Sequence, residues 1–580
     1  MTDIPKFAIP TISLAKPRHR RPTNLRPHGV ANDLWFKAAA LLLAFCGLTS
    51  IGAEPDFFCN LRRLPDSVSA ITENGVFELN PSPHGIWNGG GITATAHLRR
   101  DGLVLEAAAP GVALKHLLLR WKTAMPSNWL YLGDAWERDY GDLEWKPLDA
   151  KRVMPWYFLA TNGKITHGYG VQTGPSAICH WTVDPAGIML YADVRCGGRG
   201  VELGRRTLEV CTVVCRRGHE GETPFAAARA FCRQMCPRPR LPKEPVYGFN
   251  DWYCAYGRDT ASQFLKDTAF IVSLSPKSGN RPFAVVDDGW EITRDLSGAN
   301  GPGPWNRVNP KFSRTLTMPQ LARRIRALGA RPGIWVRPLQ ASPDQPRSWR
   351  LARDRNCLDP SVPAVLAYVR RTIKRLRGWG FELIKHDYTT EDITGLWGFQ
   401  MKNEMTPDGW AFADRGRTTA EIIRGLYRAI RQAAGHHVLV IGCDTIGHLS
   451  AGLFEMQRIG DDTSGEEWAR TRKMGVNCLA FRAPQHDAFF AVDADCVGQV
   501  RANSVPWQKN LQWLYLLAHS GAPLFVSFAP DTVSPEQEQA LRAAFQAAAK
   551  PQPLGQPLDW LDTRTPSRWR LDGREVTFSW

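Results

Sequence analysis

The sequence predicts a multidomain chain: an N-terminal all-β sandwich, a central (β/α)8 TIM barrel and a short C-terminal β segment. Three observations predict it. The 580 residues exceed what one hydrophobic core ordinarily organises. Short alternating runs broken by turn signals fill the first part of the chain, which is the texture of antiparallel β structure. After Pro245, short and nearly continuous apolar runs alternate with amphipathic stretches, as buried parallel strands and their crossover helices do. With 43% hydrophobic and 22% charged residues, the chain as a whole is globular and not disordered.

Residues 1–53 read as a signal or targeting segment. Lys16, Arg18, Arg20, Arg21 and Arg26 precede Lys37, an apolar core from Ala38 to Leu48, and the small residues Gly52 and Ala53. Charge, short apolar core and small-residue cleavage site follow the order of a secretory signal. Export to the periplasm or the extracellular space is therefore expected. An N-terminal membrane anchor, or a start codon further downstream, is the alternative. No uncharged apolar run reaches the roughly 18–20 residues that span a bilayer, which excludes a multi-span membrane protein.

The formal charge is +16, of which +5 lies in residues 1–53, and the remainder is spread along Arg-rich helical stretches such as 370–377. No segment has the pattern of a nucleic-acid-binding module, so no nucleic-acid partner is expected. Cys211/Cys215 and Cys232/Cys236 are spaced alike, but no further Cys or His follows at zinc-ligand spacing. Buried thiols, or one or two disulfides, are expected in place of a metal.

Residues 54–240 carry the β-sandwich pattern, with turn signals at Asn162-Gly163, Pro185-Ala186-Gly187 and Gly197-Gly198. The Pro-rich run from Cys236 to Pro242 breaks every periodicity and reads as a linker. Residues 241–550 hold eight candidate strands: 246–252, 283–288, 333–337, 382–387, 438–444, 455–461, 488–493 and 523–527. Between them, Val365, Val369, Ile373 and Leu376 form an apolar helical stripe with Gly378 as its stop. Thr418 with Glu421, and Ser534 with Gln537, read as capping boxes. Only ten residues separate the fifth and sixth strands, so that crossover must be a loop or a single turn. Residues 551–580 form the short C-terminal β segment.

In such barrels the active site lies at the C-terminal ends of the strands. Those ends carry Asp251, Asp287, Asp288, Asp387, Asp444, Asp461, Asp462 and Asp493, with Lys385, Arg337 and Arg458 among them. Asp is a poor strand residue, and repeated carboxylates repel unless a site uses them. The pattern describes a polar pocket for a ligand with many hydroxyls. Cleaving a glycosidic bond needs two carboxyls across a sugar-sized pocket, one attacking and one protonating the leaving oxygen. Lys385 lies two residues before Asp387 on the same strand face and favours its ionised form. Asp387 is therefore the candidate nucleophile. A neighbouring carboxylate helps an acid keep its proton, which points to Asp461 beside Asp462, with Asp462 as the other possibility.

Six motifs in order resemble the α-galactosidase (melibiase) superfamily, glycoside hydrolase families 27 and 36, over about residues 245–530. They are Gly248-Phe249-Asn250-Asp251-Trp252, Val286-Asp287-Asp288-Gly289-Trp290, Gly333-Ile334-Trp335, Leu358-Asp359-Pro360, Lys385-His386-Asp387 and Arg458-Ile459-Gly460-Asp461-Asp462. The resemblance implies a retaining double displacement on terminal α-linked galactose, without metal or organic cofactor, and a carbohydrate substrate. It implies Asp387 as nucleophile and Asp461 as acid/base. Trp252 would stack on the sugar, and Asp287 and Asp288 would bind its 4- and 6-hydroxyls. Lys385 and Arg458 would hold hydroxyls or tune the carboxylates, Trp335 would contact the substrate, and Cys443 and Asp444 would lie near the 2-position. The chain departs from the pattern at Phe249, Asp251, Arg337 and Asp444-Thr445, positions that surround the sugar and not the chemistry.

Other conspicuous residues take plainer roles. His386 points away from the Asp387 face, and Trp507 and Trp513 belong to the core; Trp136, in the aromatic-acidic loop from Gly133 to Tyr140, packs at the domain interface, with reach over the barrel mouth as the alternative. Asp493 and Asp495 fit capping as well as substrate contact. Three other functions remain: galactosyl transfer of the raffinose-synthase type, α-N-acetylgalactosaminidase activity, and a non-catalytic carbohydrate-binding barrel.

Overall fold

Buried and part-exposed side chains alternate along Ser67–Thr72 and the first half of Ile92–Arg99, as a sheet with one face turned inward requires. The structure is a computed structural model describing residues 57–277, 279–292, 305–499 and 505–580; the expected targeting segment lies outside them. Between Ser67 and Arg216, fifteen strands join in one antiparallel sheet. The strand pairing runs without a break from one end of the sheet to the other. Strands near its opposite ends nonetheless touch: Phe158 of Tyr157–Thr161 meets Trp181 of Ile178–Asp184 with ring centroids 6.0 Å apart.

One element departs from the all-β expectation. Pro224–Met235 is a helix, with Pro at its first position and Thr223 Oγ1 accepting from the Ala226 amide at 3.2 Å. It packs on the sheet through Phe231, and the close approach needs Gly168, where any side chain would run into the Phe231 ring.

The parallel sheet that follows has nine strands: β1 (Tyr247–Asn250), β2 (Phe283–Val286), β3 (Arg331–Val336), β4 (Leu383–His386), β5 (Leu439–Gly442), β6 (Met456–Arg458), β7 (Ala491–Asp493), β8 (Cys496–Gln499) and β9 (Leu524–Phe528). Their order is β7-β6-β5-β4-β3-β2-β1-β9-β8. All eight expected strands are present, and β8 is the addition. The two ends of the sheet, β7 and β8, are consecutive in the chain and separated only by Ala494 and Asp495. Asp495 has φ 70°, a left-handed kink. One stave is thus broken in two, its first half pairing with β6 and its second with β9. The sheet curls in the manner of a TIM barrel.

The helices follow their signals. Pro363–Gly378 buries Val365, Val369, Ile373 and Leu376, and it includes Gly378; the left-handed glycine lies two residues later, at Gly380 with φ 98°. Thr419–Ala434 and Pro535–Ala548 both begin with the expected capping boxes. The short fifth crossover is the single turn Gly447–Ser450. The C-terminal segment forms a three-stranded sheet of Gln556–Pro557, Arg568–Leu571 and Arg574–Thr577. Trp560 anchors it edge-on to Trp145 and Phe225 of the N-terminal region. The twelve described cysteines are free thiols, buried except for half-buried Cys254. Among the described residues, no helix is long and apolar enough to cross a membrane.

Candidate active site

The strand ends converge on a cavity of about 260 Å3, close to the lower end of the range usual for small-ligand sites. Nine of the residues singled out from the sequence line it: Trp252, Asp287, Asp288, Trp335, Lys385, Asp387, Cys443, Asp461 and Asp462. Arg458 and Asp444 do not. Both are buried behind the wall and act on the residues that form it.

Asp387 follows β4, and its amide continues the strand ladder by donating to the Val336 carbonyl at 3.1 Å. Three donors fix its carboxylate. Oδ1 accepts from the amides of Tyr388 at 2.8 Å and Asp444 at 3.1 Å, and Oδ2 accepts from Trp335 Nε1 at 3.2 Å. Burial would raise this carboxyl, but Lys385, Arg138 and the Trp335 donor outweigh it and hold Asp387 below the usual carboxylate range. The next residue is strained: Tyr388 has φ 62°. The Arg337 guanidinium lies over its ring, 4.0 Å from the centroid. Arg337 is itself tied to the buried Asp392 at 2.6 Å.

Lys385 does not bond Asp387 directly. Its Nζ donates to Asp287 Oδ2 at 2.8 Å, and the same oxygen accepts from Asn250 Nδ2 at 2.6 Å. Burial would discharge the ammonium, yet Asp287 foremost, with Asp387 also near, keeps it charged. Asp288 is backed by Glu291, whose carboxyl is pushed well up by burial and by Asp288 itself. Trp252 stands half-buried at the start of the turn after β1, its amide donating to Asn250 Oδ1 at 3.0 Å.

The two carboxyls after β6 differ. Asp461 faces two arginines, Arg470 Nη2 at 2.6 Å from Oδ2 and Arg138 Nη2 at 3.4 Å from Oδ1. Asp462 accepts from Arg458 Nη2 at 2.9 Å on Oδ1, and its side chain remains 42% exposed. The same guanidinium is shared with Asp495 at 2.7 Å and also donates to Cys443 Sγ at 3.6 Å. Burial would raise Asp462, but Arg458, then Arg138 and Lys385, lower it.

Several lining residues carried no signal in strand-end reasoning. Arg138 and Tyr140 come from a loop of the N-terminal region, and Trp397 and Phe399 from the segment after β4. The Asp139 amide donates to the Ile459 carbonyl at 2.8 Å, which seats the loop against the end of β6 and brings Arg138 beside Asp461. Arg138 lies 4.9 Å from the Trp397 ring centroid, and Tyr140 packs edge-on against Phe399 at 4.9 Å. Phe399 is 62% exposed. One side of the cavity is therefore polar and charged, and the other is aromatic.

The plainer roles are met. Trp136 donates from Nε1 to the Lys402 carbonyl at 3.0 Å across the interface. His386 is fully buried between Tyr427 and Phe454, and burial drops its imidazole to about 4. Trp513 is fully buried, while Trp507 is only partly so. Asp495 accepts from Tyr253 Oη at 2.5 Å and the Thr463 amide at 2.7 Å.

The fold is shared with solved α-galactosidases. One from Thermus thermophilus, solved with p-nitrophenyl α-D-galactopyranoside, has a TM-score of 0.55 at 17% identity, over 86% of this chain and 99% of that one. The GH36 α-galactosidase AgaB from Geobacillus stearothermophilus has a TM-score of 0.57 at 14% identity, over 86% of this chain and 79% of its own. AgaA from the same organism gives 0.53 at 14% identity, over 87% and 81%. No protein-family model matches the chain. At these identities the likeness is one of fold.

Proposed function

We propose that this chain is a retaining glycoside hydrolase that releases terminal α-linked galactose from oligosaccharides. One observation carries the reading: Asp387 is held ionised by three donors in a strand-end cavity, with a second carboxyl two staves away, after β6, to complement it. The fold shared with the GH36 α-galactosidases supports the sugar. In the first step an Asp387 oxygen bonds to the anomeric carbon as the glycosidic C–O bond breaks, and the acid delivers its proton to the departing oxygen. In the second, the same group takes a proton from water, whose oxygen displaces Asp387.

We assign the acid/base role to Asp462 rather than Asp461. Both Asp461 oxygens face arginines, Arg138 and Arg470, which pin the carboxyl in place. Asp462 has its side chain open to the cavity, and Arg458 is shared with Asp495. Asp287, Asp288 and Lys385 offer the hydroxyl-binding groups of the polar side. The aromatic side, Tyr140, Trp397 and Phe399, suits the apolar face of the next sugar. Neighbours of this fold have been solved with stachyose and with raffinose.

The test is a panel of aryl α-glycosides with the wild-type protein and Asp387→Ala. α-Galactosides should be turned over preferentially, and the variant should be inactive until azide is supplied, then yield β-galactosyl azide. Unaided turnover by Asp387→Ala would end the assignment. Product analysis with a galactosyl acceptor present separates hydrolysis from transfer. Export rests on residues 1–53, and cell fractionation of the tagged full chain tests it.

A further inference from the structure

The carboxyl of Asp462 projects from the start of a loop, and its main chain is gripped by one guanidinium. After β6 the chain passes through Gly460, Asp461 and Asp462 into that loop, then into the helix Trp468–Thr471, which continues as a wide π-helical turn, Arg472–Asn477. The loop is tied down along its length. Thr463 donates from its amide and its hydroxyl to Asp495 Oδ2 at 2.7 and 3.0 Å, and Glu466 Oε1 accepts from Tyr256 Oη at 2.7 Å. Before the two carboxyl residues, Gly460 lies so close to the Met474 carbonyl oxygen that a Cβ there would stand 2.1 Å from it. Arg470 spans the carboxyl residues themselves. Its Nη2 donates to Asp461 Oδ2 at 2.6 Å and its Nε donates to the Asp462 backbone carbonyl at 2.8 Å. Among the described residues, no other hydrogen bond reaches the Asp462 backbone.

We infer that Arg470 is a positioning residue for the acid/base: it grips the Asp461 carboxyl and the Asp462 main chain together, and so fixes where the Asp462 carboxyl meets the departing oxygen. The inference rests on Asp462 being the acid/base. Nε and Nη2 form one edge of the planar guanidinium, so both acceptors are held at once in a fixed relation that a lysine ammonium does not reproduce. Each end of the grip is backed. Arg138 faces the other Asp461 oxygen at 3.4 Å, and Trp468, two residues before Arg470, packs against Trp580 with ring centroids 6.0 Å apart. The Arg470 side chain is 38% exposed, where an ion pair adds little to global stability, so its loss should be felt at the loop it brackets. An acid must lie within hydrogen-bond reach of the oxygen it protonates, and a misplacement of about 1 Å can cost about 10^2-fold in rate. Arg458 holds the Asp462 carboxylate from within the wall, while Arg470 holds the backbone from which it projects.

The test compares kcat/KM, which reports the bond-breaking step, on two α-galactosides: a disaccharide, whose leaving group needs the proton, and a dinitrophenyl galactoside, whose leaving group departs with little help. It is run on the full chain as wild type, Arg470→Gln, Arg470→Lys, Asp462→Asn and the Arg470→Gln/Asp462→Asn double variant. Arg470→Gln should lose about tenfold or more on the disaccharide and far less on the dinitrophenyl galactoside. Arg470→Lys keeps the charge but not the two-point grip, and should show the same contrast in smaller measure. In the Asp462→Asn background Arg470→Gln should cost little further on the disaccharide, because the acid it positions is gone. Equal losses on both substrates, or fully additive losses in the double variant, overturn the inference. Should Arg470→Gln unfold early in thermal melting, Arg470→Lys carries the same comparison. Asp462→Asn without the contrast would remove the acid/base assignment and this inference with it; the contrast in Asp462→Asn but not in either Arg470 variant would remove this inference alone.

Discussion

A carboxylate becomes a nucleophile or an acid according to what surrounds it, and the surroundings of Asp387 predict its titration. Its pKa is depressed, so it is ionised down to below the ordinary Asp value of about 3.9. The group therefore contributes stability above the unfolded pKa and loses it as pH falls through the folded one. The acid limb of kcat/KM should lie below about pH 4. Trp335→Phe removes one of three donors and should move that limb upward; an unmoved limb would show the indole does not tune the carboxylate. Asp462 is depressed too, so the unliganded protein holds the acid's proton only at low pH and kcat/KM should decline as pH rises. Asp462→Asn should lose about 10^2–10^4-fold on an α-galactosyl disaccharide and far less on an aryl galactoside with a good leaving group. If Asp461→Asn shows that contrast instead, the acid is Asp461. At this scale much of the site was legible: Lys385, Asp387, Asp287 and Asp288 stand at strand ends because the barrel builds its site there. The choice between Asp461 and Asp462 was not, because it depends on Arg138 and Arg470, which approach from other segments.

Among the elements, the broken stave shows what an apolar run does not announce. The seven other barrel strands were readable as short apolar runs, whereas β8 follows β7 after a two-residue kink and offers no turn dipeptide. The helix Pro224–Met235 did have a readable start, Thr223-Pro224, hidden because the strands before it set the expectation. The kink has a mechanical role. Its left-handed Asp495 turns the second half toward β9 and aims a carboxylate at Arg458, Tyr253 and Thr463 together. Asp495→Ala should leave the buried Arg458 with only the part-exposed Asp462 as its ionic partner and destabilise the protein by about 3 kcal/mol, visible as a lowered denaturant midpoint. Asp495→Asn keeps a residue that tolerates positive φ and should lose less. Equal losses would mean that the kink, and not the ion pair, carries the stability.

For the whole molecule, the cavity is a joint product of two regions distant in sequence. The barrel supplies the candidate catalytic carboxyls and the N-terminal loop, with Arg138 and Tyr140, supplies part of the wall. A strand-end rule cannot see such a partner; the aromatic-acidic pattern from Gly133 to Tyr140 offers the barrel mouth only as an alternative, since the loop's position depends on how the sheet region docks. The docking has an identifiable clamp. Arg482, on the helical stretch after β6, donates to the Glu137 carbonyl at 2.6 Å and pairs with Asp134 at 3.2 Å, while Gln485 Nε2 donates to the same carboxylate at 2.9 Å. Asp134 is buried, and burial outweighs Arg482 in pushing its carboxyl up. Removing the cation leaves that carboxyl uncompensated and frees the loop that carries Glu137, Arg138 and Tyr140. Arg482→Ala should therefore cost about 3–5 kcal/mol of stability. It should also reduce kcat/KM at temperatures where the variant is still fully folded, although residue 482 does not line the cavity. A variant that melts earlier but retains wild-type kcat/KM below its transition would show that the loop keeps its place without the clamp, and that the barrel alone orders the site.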